Sequence, residues 1–141
     1  MLLLADVAAR LREQCPSLRV VGDAAQFAAV IDQLPDTPAA YVIPLNERAG
    51  PNRFASGAVH QEVEAQFGVV FAVRNVTDGR GAAAAADLSG LRAEVSAALV
   101  GWMPTGCSDL VIFAGGELVA FANGCLWWQD EYVTAYPMRK T

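Results

Sequence analysis

Between residues 59 and 74 apolar side chains recur at every second position: Val63, Ala65, Phe67, Val69, Phe71 and Val73. That period belongs to a strand. The intervening positions carry Glu62, Glu64 and Gln66 and then turn apolar at Val70 and Ala72. The pattern predicts a strand half exposed at one end and buried on both faces at the other. At ~3.3 Å per residue it reaches roughly 50 Å. A small domain is narrower than that, so the strand must bend or project beyond the core.

The remaining elements follow from period and punctuation. Leu3, Leu4, Val7, Ala8 and Leu11 fall at helical spacing and predict a helix over 2–14, ended by Cys15-Pro16-Ser17. Leu18–Val21 reads as a short strand closed by Gly22. Asp23 is a good N-cap for a second helix through Leu34, with Phe27, Val30, Ile31 and Leu34 on its apolar face. Residues 39–45 form a second strand, with Pro44 near an edge or a strand end. A polar loop follows over 46–58, of the length that usually serves a function or stays disordered. After the long strand, Thr77-Asp78-Gly79-Arg80-Gly81 predicts a turn, and residues 81–100 an alanine-rich helix stopped by Gly101-Trp102-Met103-Pro104. The final third predicts a three-stranded meander over 110–113, 117–122 and 126–136. Gly115-Gly116 and Asn123-Gly124 supply its two turns, since tight hairpins need positive φ. The expected fold is α+β: one domain over 1–141, a mostly antiparallel sheet with about three helices packed on it, in the order α-β-α-β-β-α-β-β-β. A polar hairpin extension is expected around 46–62.

Composition narrows the partners. The 141 residues are 54% hydrophobic and only 18% charged, which excludes intrinsic disorder. The net charge of −5 argues against a general nucleic-acid-binding surface, which needs a basic footprint. The apolar start at Met1–Leu4 meets Asp6 and then Arg10, so no signal or membrane segment is expected. Cys15, Cys107 and Cys125 are expected to be free thiols in a reducing cytoplasm. Few charges and high apolar content suggest that other subunits cover part of the surface.

Catalytic chemistry finds little support. His60 is the single histidine and reads as an exposed strand residue rather than a metal ligand, because no Cys or His cluster accompanies it. No phosphate loop, dinucleotide fingerprint or nucleophile elbow is present. Asp130 and Glu131 are strand neighbours, so their carboxylates point to opposite faces and cannot act as a pair. The aromatics Trp127, Trp128, Tyr132 and Tyr136 fit core packing, a subunit interface, or the wall of a ligand pocket. No cofactor and no metal is expected.

Three stretches carry a resemblance. They are Ala39–Leu45 with its polar loop; Gln66–Asn75 with Asp78, Gly81 and Leu99–Pro104; and Leu126–Thr134. In these the chain resembles tail terminators of tailed bacteriophages and prophages, similar to the lambda type. The resemblance implies a structural virion protein without catalytic residues. It implies a six-membered homo-oligomeric ring, seated on the last ring of tail-tube protein, that ends tube polymerisation and offers a face to a head-completion or connector protein. DNA would only pass through the lumen, without specific binding, and no membrane is involved. The protein would reside in the virion tail and be assembled in the host cytoplasm. Expected subunit contacts are Arg48, Asn52, Arg53 and Phe54 in the loop, and Arg74, for which an intrachain salt bridge is the alternative. Glu62, Glu64 and Asp78 are expected on the lumen or ring face, where negative charge repels phosphates. Another head–tail joint or minor tail component of similar fold is the alternative role, and a small cytoplasmic enzyme or ligand-binding domain the remoter one.

Overall fold

In a computed structural model, described over residues 1–33, 35–74 and 82–141, the long strand is the axis of the molecule. The helices are α1 (Leu4–Gln14), α2 (Ala24–Val30) and α3 (Ala82–Leu99); the strands are β1 (Val20–Gly22), β2 (Ala39–Ala49), β3 (Val59–Arg74), β4 (Ile112–Ala122) and β5 (Cys125–Lys140). They form one five-stranded sheet in the order β1-β2-β3-β5-β4. Only the β1–β2 pair is parallel. The α+β class and a mostly antiparallel sheet with three helices are as expected. What was expected at Leu34 and over Thr77–Gly81, Asp78 included, lies outside the described residues.

The period-two pattern divides the sheet into two faces. Phe67, Val69, Phe71 and Val73 of β3 join Ala40, Val42, Leu126 and Tyr132 beneath α1 and α3. Val7 and Leu11 of α1 and Leu88, Leu91, Val95 and Leu99 of α3 close that core. On the other face Tyr41, Val70, Ala72 and Trp127 pack under Phe27 and Val30 of α2. Asp23 caps α2 as expected: its carboxylate accepts from the Gln26 N–H, while the Gln26 side chain accepts from the Asp23 N–H. The helix is shorter than the pattern suggested because Asp32 and Gln33 offer no apolar grip and Pro35 is close behind.

Two elements differ from expectation. The polar stretch Asn46–Ala49 is strand, not loop: it is exposed but pairs with β3 through Ala49↔Val63, and the Tyr136 hydroxyl donates to the Glu47 carboxylate at 2.9 Å. The Gly115-Gly116 pair does not turn. The chain runs through it as β4, because both flanking segments pair with the same strand, β5, and not with each other. Gly115 has φ +156° and takes up a bulge between Phe113 and Gly115. The C-terminal meander therefore has two strands, joined at Asn123 (φ +54°) and Gly124 (φ +70°), the positive-φ turn that Asn-Gly favours.

Burial pushes the Cys15 thiol up to about 11, with the Glu94 carboxylate adding to the effect and Arg10 opposing it. Burial likewise pushes Tyr132 up to about 12; its hydrogen bond with Ser96 works the other way. In both cases folding favours the neutral form, so the stabilisation is complete below the unfolded values near 9 and 10 and is lost as pH climbs through the folded ones. Urea unfolding as a function of pH should show a flat limb up to about pH 9 and falling stability between pH 9 and 12. Tyr132→Phe should make that alkaline fall shallower; an unchanged slope would contradict the assignment to Tyr132.

Candidate assembly interface

Beyond Val63 the sheet continues as an arm. Its backbone ladder runs from Arg48↔Glu64 outward on one side and from Val63↔Tyr136 to Val59↔Lys140 on the other. Asn52 organises the tip: its side-chain oxygen accepts from the backbone N–H groups of Phe54 and His60, and its amide donates to the Ala58 carbonyl. Arg53 N–H donates to the His60 carbonyl, and Gly50 N–H to that of Glu62. These bonds leave Phe54 held out in solvent, 51% exposed, its ring edge-on to His60 at 5.6 Å.

The arm is polarised. From Gly50 to Gln61, and again from Pro137 to Thr141, there is no Asp or Glu, while Arg53, His60, Arg139 and Lys140 all stand there. A basic tip is thus carried by a chain of net charge −5. Exposed Met138 adds a second apolar group.

The structure therefore brings Arg48, Asn52, Arg53 and Phe54 together on the arm. Arg74 is not with them: it sits at the opposite end of β3, paired with Cys125, and lines a cleft of about 450 Å³ with Asp87 and Glu94. Glu64 is exposed and lies opposite Arg48 in the ladder. Glu62 is half-buried and accepts a 2.7 Å hydrogen bond from the Ser108 hydroxyl.

The sequence reading missed a second surface. β4 is an edge strand, with β5 its one strand neighbour. Along it Ile112, Phe113, Leu118, Val119 and Phe121 are all exposed, Phe121 by 61%, and Leu110 precedes them. A long exposed apolar edge is a template for pairing with another chain. The other margin is treated differently. There β1 covers Ala39–Tyr41, Pro44 removes a donor, a bulge falls at Leu45, and Glu47 and Arg48 follow. Those features blunt an edge; β4 has one charge, Glu117, and no proline.

The aromatics do not wall a pocket. Trp127 and Tyr132 are fully buried on opposite faces of the sheet, and Trp128 lies under the Arg92 guanidinium, 4.7 Å from its ring centre. Neither they nor Trp128 line the clefts beside Arg74, Pro44, Asp36 or Ile112. Two of the aromatics expected to wall a ligand pocket, Trp127 and Tyr132, are thus core residues.

A family model described as "phage tail terminator protein" matches residues 1–141. The chain belongs to the phage tail terminator family. A phage tail terminator protein is a structural tail component, and that is the class in which this chain falls. Among solved structures the chain is similar to one from the "Virion of native gene transfer agent (GTA) particle". The two share 19% identity and a TM-score of 0.59, over 96% of this chain and 95% of that one. At that identity the likeness concerns the fold. Comparison with curated proteins finds no match.

Proposed function

We infer that this chain closes into a six-membered homo-oligomeric ring on the last ring of tail-tube protein. The ring stops tube polymerisation and turns its other face to a head-completion or connector protein. The observation that carries this reading is the presence, on one terminator-family chain, of two unlike exposed surfaces: the basic arm and the apolar β4 edge. A ring is built from head-to-tail contacts, which require two different patches on each subunit. The whole chain acts as one domain, without catalytic turnover, and is assembled in the host cytoplasm before it joins the virion tail.

In this reading Arg48, Asn52, Arg53 and Phe54 belong to the subunit contact, and Arg74 to a contact at the far end of β3. Glu62 and Glu64 belong to the lumen or ring face, with Asp78 assigned there from the sequence alone, and negative charge on that face keeps passing DNA from sticking. Purified tail tubes incubated with the protein should stop elongating and carry a ring at one end by electron microscopy. Tubes that elongate as before would refute the capping role; binding to a connector alone would move the protein to a neighbouring joint.

Arg53→Ala with Phe54→Ala should weaken ring formation at least tenfold in native mass spectrometry. Both side chains are exposed, so folding stability should change by no more than about 0.5 kcal/mol per site. Undiminished assembly would remove the arm from the contact.

A further inference from the structure

We propose that the receiving surface for the arm is the β4 edge of a second copy of this chain: the basic tip of one subunit lies along Leu110–Phe121 of the next. The proposal rests on the ring reading above and supplies the contact that reading leaves open.

Charge selects the occupant. From Cys107 to Gly124 the chain has no Lys or Arg; its charges are Asp109 and Glu117, both exposed. Two β4 edges laid together would bring acid against acid, a destabilising arrangement across strands. The tip offers the opposite sign, with Arg53, Arg139 and Lys140 and no Asp or Glu side chain. Its apolar groups, Phe54 and Met138, meet an edge bearing exposed Ile112, Leu118, Val119 and Phe121. The sheet's other margin is the blunted one, so it does not compete for a strand. The remaining exposed large apolar residues, Met1, Leu3, Val100 and Met103, flank helix ends and present no open strand.

Backbone geometry agrees. Beyond Val133, where its pairing with β4 ends, β5 continues to Lys140, and Pro137–Lys140 is paired to β3 on one side. The arm is therefore extended backbone lying along extended backbone; Pro137 lacks an N–H, so side-chain contacts and charge carry the pairing on that side rather than a full backbone ladder.

The contact joins unlike surfaces, and this gives a mixing test. One variant carries Arg53→Glu and Phe54→Ala; the other carries Leu118→Glu and Phe121→Glu. Each alone should self-associate at least tenfold more weakly than the wild-type chain. Mixed in equal amounts they should form a one-to-one dimer and nothing larger, because one intact arm then meets one intact edge. An arm variant that still assembles alone, or a mixture that stays monomeric, overturns the proposal. Circular dichroism checks that both variants fold. Should the edge variant fail to fold, Glu117→Lys takes its place: it should weaken association, and the same chain with Arg53→Glu should recover it. Wild-type protein that remains monomeric up to millimolar concentration overturns this contact even if it caps tubes. A wild-type ring whose variants behave otherwise than described overturns the contact and leaves the ring standing.

Discussion

Phe67→Ala should cost about 3–5 kcal/mol, the range for truncating a fully buried aromatic ring. Phe67 is fully buried at the centre of β3 and stacks on Tyr132, ring centres 5.7 Å apart. It lies between Pro44 on β2 and Tyr132 on β5, with α1 and α3 above it, so several rigid elements line the space a truncation would leave. Strands held by neighbours on both sides cannot close in to fill a cavity, which places the cost at the upper part of that range. For a chain of this length each kcal/mol lowers Tm by roughly 4 °C, so the midpoint should fall by about 16–20 °C. Thermal unfolding followed by circular dichroism reads the effect. A fall under about 4 °C would mean that the core collapses around the site and that β3 is not the rigid axis described above.

That axis was legible in the sequence because it is long. A strand of sixteen residues states its period many times, and its switch from Glu62 and Glu64 to Val70 and Ala72 marks where the sheet passes from solvent to a doubly covered interior. The arm was legible for the same reason: such a strand had to project. Its extent was not, since Asn46–Ala49 carries no apolar signal and is strand only through its ladder to β3. The β4 edge was harder. Ile112, Phe113, Leu118, Val119 and Phe121 have the composition of a buried strand, and local pattern cannot tell a covered strand from one waiting for a partner chain. Gly115-Gly116 misled for a related reason. A glycine pair reads locally as a turn, whereas here the second glycine is required by residues far along the chain.

Those residues are Asp130, Trp128 and Arg92, and the second large prediction concerns them. Asp130 is completely buried. Arg92 on α3 donates to both of its carboxylate oxygens at 2.9–3.1 Å, and Trp128 Nε1 donates at 2.9 Å. Arg92→Ala removes the countercharge and leaves the carboxylate inside the fold. Stranding one partner of a buried pair costs about 3–5 kcal/mol. The Arg92 side chain is 33% exposed, so water admitted beside Asp130 should hold the loss near the lower bound, about 3 kcal/mol, visible as a lower urea midpoint. A loss under about 1 kcal/mol would show that solvent replaces the guanidinium freely. Gly116 faces the same carboxylate across the β4–β5 ladder. A Cβ there would run into Asp130 Oδ1 and come within 3.1 Å of Trp128 Nε1 and 3.2 Å of the Arg92 guanidinium. Gly116→Ala should therefore destabilise the native chain and be close to neutral when Asp130→Ala has already cleared the space. Equal effects in both backgrounds would deny the contact. The cluster ties the middle of the exposed edge to α3 and β5. If β4 receives a neighbouring subunit, Gly116→Ala should weaken assembly more than its loss of stability alone accounts for, because it displaces the edge on which the neighbour would lie.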